Sequence, residues 1–270
     1  MSSSMDLPLM GLGTWDLRGH DCTKVVKLAL ELGYQHIDTA HVYQNHEAIK
    51  KAIKGFDRNK FYITSKIAVD EQVDAAKPEE SVQKACERAL KELGTDYLDL
   101  YLIHWPNREF PLDRVFRAME QLEAQGKIGK AGVSNYNIHH LDDLRKAGMT
   151  PFANQVEFHP YLNQKELLDY CKSHHIQLIA YRPLGKGKLL REEPVFDQIG
   201  QKYNKTGAQV ILRWLTQQEI PVITKSSSEK HLRENLEIFD FSLTKADKEQ
   251  LDHLDKNKRY CQPDHLEYNY

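Results

Sequence analysis

The chain has 270 residues, a formal net charge of −2, 40% hydrophobic and 28% charged residues, so it is long enough and apolar enough to bury a large core. That balance excludes a disordered chain, and it offers neither a basic face for nucleic acid or an anionic membrane nor an acidic tail. The cysteines Cys22, Cys86, Cys171 and Cys261 form no CxxC pair and read as reduced thiols.

Short β-rich runs alternate with helical patterns. Leu9–Leu12 reads as the first strand and runs into Gly11-Leu12-Gly13-Thr14-Trp15; the amphipathic stretch Thr23–Leu32 follows, stopped by Gly33. Gln35–Asp38 and Phe61–Ser65 are the next strands. Then comes Glu79–Leu93, where Val82, Ala85, Cys86, Ala89, Leu90 and Leu93 recur at helical spacing before Gly94. Leu98–Ile103 is a nearly continuous apolar strand, as expected of one covered on both faces. Val115–Ala124 is helical and stopped by Gly126; Ala131–Val133 and Ala153–Val156 are strands, with Gly148 as a further helix stop between them. Gln164–Ser173 is helical, Leu178–Ala180 a strand, Glu193–Tyr203 and Ala208–Gln217 helical, and Val222–Thr224 the last strand.

Such alternation predicts a single α/β domain, a closed (β/α)8 barrel over residues 1–270 with its core at about 8–255 and a polar tail at about 256–270. The rival is an open doubly wound sheet, which usually marks its dinucleotide site with GxGxxG after the first strand; here the third glycine and the helix start are missing. Two helical stretches between strands seven and eight make one of them an extra helix, a place where such barrels often build a phosphate site. The early arrival of Gly11 predicts a truncated N-terminal hairpin.

Barrels of this type gather function at the C-terminal ends of their strands. Those ends read Thr14-Trp15, Asp38-Thr39, Lys66, His104-Trp105, Ser134-Asn135, Gln155 to Glu157, Tyr181 and Lys225-Ser226. Each alone reads as a solvated turn or core residue; together they put Asp38, Tyr43, Lys66 and His104 at neighbouring strand ends. Reduction of a carbonyl needs a proton donor at the oxygen. A phenol is a weak acid, with a reference pKa of ~10, so a nearby Lys66 ammonium, held by Asp38, is expected to favour the phenolate. His104 is expected to orient the carbonyl or share the proton.

These segments resemble the aldo-keto reductase family. Ile37-Asp38-Thr39-Ala40-His41-Val42-Tyr43, Ile63-Thr64-Ser65-Lys66 and Leu102-Ile103-His104-Trp105-Pro106 look like its catalytic motifs. Gly132-Val133-Ser134-Asn135-Tyr136, Asn154-Gln155-Val156-Glu157, Ala180-Tyr181-Arg182-Pro183-Leu184-Gly185, Lys225-Ser226 and Glu234-Asn235 match as well, so the resemblance spans about Met10 to Leu251. It implies NADPH-dependent reduction of aldehydes, α-dicarbonyls or keto-sugars, with Tyr43 as general acid and Lys66 and Asp38 tuning it. It further implies that Ser134, Asn135 and Gln155 bond the nicotinamide carboxamide and that Tyr181 stacks on the ring. Leu184, Gly185, Lys186 and Lys188 would wrap the pyrophosphate, Lys225 and Ser226 grip a 2′-phosphate, and Glu234 and Asn235 meet the adenine.

Where the family commonly has arginine this chain has His231, which can stack but offers less charge, so discrimination of NADP(H) against NAD(H) is expected to be weakened. Arg182 stands where serine is common, reading equally as a phosphate contact or a snorkelling side chain. His46 and Lys50 depart from the family pattern on the helix after Tyr43. The short loop Asn107–Asp113 and brief tail resemble the microbial diketogluconate-reductase-like branch. Trp15, Trp105 and Phe110 are expected to make an aromatic substrate mouth, with Tyr260 closing it.

Two other readings stay open. One is a nicotinamide-sensing regulatory subunit on the same fold. The other is a metal-dependent hydrolase prompted by the 13 histidines, although the pairs His139-His140 and His174-His175 lack ligand spacing and no metal is expected. The segment MSSSMDLPLM is too short and polar for a signal peptide, and no apolar run nears the ~18 residues of a membrane span. A cytoplasmic monomer acting on a small carbonyl compound is the expectation.

Overall fold

A computed structural model describes residues 7–261. Eight parallel strands close into a barrel in chain order: β1 (Met10–Gly13), β2 (His36–Asp38), β3 (Tyr62–Ile67), β4 (Leu98–Ile103), β5 (Ile128–Ser134), β6 (Ala153–Glu157), β7 (Gln177–Tyr181) and β8 (Val222–Thr224). β1 pairs with β8 through Met10–Val222 and Leu12–Thr224, which completes the ring.

Around it lie α1 (Gly19–Leu32), α2 (His46–Ile53), α3 (Val69–Gln72), α4 (Pro78–Leu93), α5 (Leu112–Ala124), α6 (Ile138–Lys146) and α7 (Lys165–Ser173). After β7 come α8 (Lys188–Glu192), α9 (Val195–Tyr203) and α10 (Gly207–Thr216), and after β8 come α11 (Glu229–Leu236) and α12 (Lys245–Asp252). The architecture is the expected (β/α)8 barrel, including the surplus helix between β7 and β8. Residues 1–6 and 262–270 lie outside the described residues, so the expected truncated hairpin and most of the polar tail fall there; among the described residues no strand precedes β1.

The pleat explains the layering. Along β4, Leu100 and Leu102 point into the barrel, where they meet Ala153, Ile179 and Ile223, while Tyr101 and Ile103 face the helices. Small residues make room for this packing: a Cβ on Gly132 would lie 2.7 Å from Leu102 Cδ2 and 2.9 Å from the Ala153 carbonyl oxygen. α1 ends where expected, with Gly33 at φ +102° returning its N–H to the carbonyls of Ala29 and Leu30.

Several boundaries differ from the expectation. β5 starts at Ile128 rather than Ala131 because Leu98 and Leu100 of β4 pair with Ile128 and Lys130, a register that the polar Lys130 hides in the sequence. α6, α11 and α12 bury only two or three side chains each, too few to read as helical periodicity. No helix among the described residues is long and apolar enough to cross a membrane.

Candidate active site

Asp38, at the end of β2, is fixed by its backbone register opposite Gly13 and Thr64. The chain then turns through a short 3-10 segment, His41–Tyr43, which Gln44 ends at φ +53°. Asn45 pins this turn: its Oδ1 accepts from Thr39 Oγ1 at 2.7 Å, and its Nδ2 donates to the carbonyls of Thr14 and Leu17 at 2.9 and 3.1 Å. Two of these bonds lock the loop bearing Tyr43 to the segment after β1, and the third braces the loop internally.

Lys66 comes from β3 and is 1% exposed. Its Nζ donates to Asp38 Oδ1 at 2.6 Å and to the Thr39 carbonyl at 2.9 Å, and lies 5.3 Å from the centre of the Tyr43 ring. Gln155 Nε2 donates to the other aspartate oxygen, Oδ2, at 2.7 Å. His104, from the end of β4, meets Tyr43 edge to face with ring centres 5.8 Å apart, and Trp105 lies beside it at 6.2 Å. The four expected catalytic side chains are therefore neighbours.

Their electrostatics differ from the expectation at Tyr43. Burial first, and then the negative charge of Asp38, hold the Tyr43 phenol well above its ordinary pKa, with Arg182 opposing them. The Lys66 ammonium, opposed at 2.6 Å by Asp38 and with its own pKa lowered by burial, does not bring the phenol below its ordinary value. Tyr43 is a neutral phenol. Burial, reinforced by the Lys66 cation, keeps His104 well below the usual imidazole value, so it is a neutral group with one N–H to offer.

Asp38, Tyr43, His104, Trp105 and Gln155 open onto a cavity of about 670 Å³ at the C-terminal end of the barrel, with Lys66 buried behind its wall. Of the expected residues, Trp15, Asp38, Tyr43, His104, Trp105, Ser134, Asn135, Gln155, Tyr181, Leu184, Lys186 and Lys225 line it. Asn135, at φ +65°, has both amide hydrogens engaged: Nδ2 donates to the His104 carbonyl at 2.9 Å and to Ser134 Oγ at 3.0 Å, while Oδ1 accepts from Tyr181 OH at 2.7 Å. Ser134 Oγ donates to the Gln155 carbonyl at 2.8 Å.

Other expected residues lie elsewhere. Gly185, Ser226, His231, Glu234 and Asn235 are not in the cavity wall. Gly185 instead packs beneath Tyr260, whose ring a Cβ there would approach to 2.7 Å, and Ser226 Oγ takes the Ser228 N–H at 3.1 Å. Glu234 opens onto a separate depression of about 400 Å³ beside Thr206 and Gln209, and Asn235 is buried. His231 is exposed. Lys188 lies over the Tyr260 ring at 5.4 Å. Phe110 lines a different hollow with Pro111 and Tyr136, so it forms no part of the mouth.

Of the helices between β7 and β8, α10 contributes nothing to the cavity wall. The Gly207 N–H at the start of α10 is already taken by Asp197 Oδ1 at 3.0 Å, and Thr206 caps the helix. His46 is buried between Glu92 and Ser65, at 3.0 and 3.1 Å. Among the described residues no cluster of three or more His, Cys, Asp or Glu side chains could hold a metal ion, and His174 stacks on Tyr170 at 4.2 Å.

The motif reading gave no site role to Val42, Ile223, Thr224 and Cys261, which also line the cavity, and Arg182, read equally as a phosphate contact or a snorkelling side chain, lines it too. Ile223 and Thr224 were legible as the end of a barrel strand. Cys261 carries no sequence signal, because a distant side chain brings it there: Glu157, wholly buried, accepts the N–H groups of Tyr260 and Cys261 on its two carboxylate oxygens, each at 2.7 Å.

A family model described as the Aldo/keto reductase family matches residues 9–256. The chain is 45% identical to a glyoxal reductase of Bacillus subtilis, over 96% of this chain and 93% of that protein. It is 38% identical to the methylglyoxal reductase DkgA of Yersinia pestis, over 94% and 91% of the two chains. A solved structure described as a putative 2,5-diketo-D-gluconic acid reductase B superimposes with a TM-score of 0.91 at 32% identity, covering 98% of this chain and 94% of that one.

Proposed function

The chain belongs to the aldo-keto reductase family and is an oxidoreductase, and on that premise we propose that it reduces small aldehydes, α-dicarbonyls or keto-sugars to alcohols with NADPH, using Tyr43 as the general acid. The observation that carries the reading is a buried neutral phenol facing a neutral imidazole at 5.8 Å, with a buried lysine–aspartate pair behind it, all at one cavity.

The cavity's chemistry suits a nicotinamide dinucleotide. An aromatic face on Tyr181, hydroxyl and amide groups on Ser134, Asn135 and Gln155, and the cations Arg182, Lys186 and Lys225 match a planar ring, a carboxamide and phosphates in one ligand. Gln155 Oε1 takes no hydrogen bond from the described residues, so it is available to a carboxamide N–H. When bound, the cofactor supplies the hydride that reduces the carbonyl carbon.

The protein's own residues handle the oxygen. His104, neutral, donates an N–H to the carbonyl oxygen and orients it, while Tyr43 gives up its phenolic proton as charge develops there. Lys66 is held where its ammonium offsets the phenolate as it forms, and Asp38 and the Thr39 carbonyl keep it from moving away. Trp15 and Trp105 present apolar surface to the substrate.

The decisive experiment is turnover of NADPH with glyoxal, methylglyoxal and a keto-sugar beside Tyr43→Phe. The variant should lose nearly all turnover while retaining cofactor affinity. Turnover near that of the unaltered protein would defeat the assignment of the acid.

A further inference from the structure

Beyond β7 the backbone adopts positive φ at Arg182 (+51°) and Lys186 (+58°), which turns both side chains onto the same indole. The Arg182 guanidinium carbon lies 5.4 Å, and Lys186 Nζ 4.9 Å, from the centre of the Trp15 ring, and both residues line the cavity. Among the described residues neither forms an ion pair, whereas Lys225 on the same rim reaches Asp16 at 3.9 Å. Two like charges on one ring repel, and an anion between them removes that repulsion.

Arg182 has a second attachment. Its Nη1 donates to the Tyr260 carbonyl at 3.2 Å. The next links are the N–H groups of Tyr260 and Cys261, which both end on buried Glu157, whose Oε1 also takes His159 Nε2 at 3.0 Å. Cys261 then stands in the cavity wall with Tyr43. One guanidinium therefore touches both a cationic site with no ion-pair partner among the described residues and the segment that brings Cys261 into the cavity wall. Its planar fork of five donors holds the two contacts in one fixed geometry, whereas an ammonium is a compact charge on a flexible stem.

We propose that Arg182 couples the two ends of the cavity: a diphosphate held between Arg182 and Lys186 tightens the grip on Tyr260 and so orders the wall that Cys261 provides for the carbonyl substrate. Arg182 is a positioning residue in this scheme. The proposal rests on the cofactor reading above, because it takes the diphosphate to be that of the dinucleotide.

Hydrogen exchange at residues 256–261 of the full chain tests it, with NADPH and, separately, inorganic pyrophosphate as probes, and with binding followed by tryptophan fluorescence. In the unaltered protein saturating probe should slow exchange at Tyr260 and Cys261 about fivefold or more. Arg182→Lys should still bind both probes yet lose the slowing, and should raise the KM for the carbonyl more than it lowers kcat. Lys186→Ser should weaken binding but keep the slowing once saturated. Full slowing in Arg182→Lys, no slowing in the saturated unaltered protein, or binding of neither probe would each overturn the proposal. If NADPH alone fails to bind, the cofactor reading falls and the pyrophosphate arm still decides the coupling.

Discussion

Lys66 and Asp38 are joined at 2.6 Å with side-chain exposures of only 1% and 4%, so each is the other's principal compensation for leaving water. Removing one partner strands a charge in the barrel. Lys66→Met should therefore lower stability by about 3–5 kcal/mol as well as abolish turnover. Urea denaturation followed by circular dichroism gives the first quantity. An unchanged midpoint would mean that Asp38 finds water or another donor instead.

His36 makes stability pH-dependent. Burial pushes its folded-state pKa down to about 4, although its Nε2 pairs with Thr64 Oγ1 at 2.8 Å. The unfolded chain takes up this proton below about pH 6.5, while the folded protein resists until about 4. Stability from this residue is complete above pH 6.5 and is lost as the pH falls through that window, by about 3 kcal/mol in all. His36→Gln should flatten the fall in melting temperature between pH 6.5 and 4. A fall as steep as in the unaltered protein would place the acid sensitivity elsewhere, the buried His46 and His104 being the next groups to examine.

Gly200 lies inside α9, where alanine would ordinarily gain up to about 1 kcal/mol of helix propensity. Sterics reverse that sign. A Cβ at this position would sit 2.2 Å from the Lys205 carbonyl oxygen, a backbone atom in the turn between α9 and α10. Gly200→Ala is expected to cost about 1–3 kcal/mol, read as a lower thermal midpoint, whereas a higher one would show that the turn adjusts freely.

Lys225 is the test of cofactor choice. It lines the cavity and is paired only loosely with Asp16, at 3.9 Å. If it grips the 2′-phosphate, Lys225→Met should raise the KM for NADPH by about tenfold or more, the loss of a charge-assisted hydrogen bond, and leave that for NADH nearly unchanged. Equal effects on the two cofactors would remove Lys225 from that role.

Much of the site was legible because a barrel delivers strand ends to one rim. Once the strands were read, Asp38, Lys66, His104, Ser134, Asn135, Gln155 and Tyr181 followed from position, and the catalytic group among them did meet. Residues reached by loops were harder. Ser226, His231, Glu234 and Asn235 lie on the segment after β8, where position along the chain says little about which side chain faces the cavity. Phe110 failed as a mouth residue for the same reason.

The alternation of apolar runs with amphipathic stretches determined a parallel sheet covered by helices, and the missing GxGxxG after the first strand favoured its closed form. The residue types at the strand ends likewise determined the class of chemistry. Charge state was decided by the tertiary structure: burial comes first at Tyr43 and His104, with Asp38 adding to it at the phenol and Lys66 at the imidazole, a balance that depends on distances no spacing encodes. Only folding, too, brings Glu157 against Tyr260 and Cys261, more than a hundred residues later in the chain, and thereby makes a thiol from the C-terminal segment part of the cavity wall.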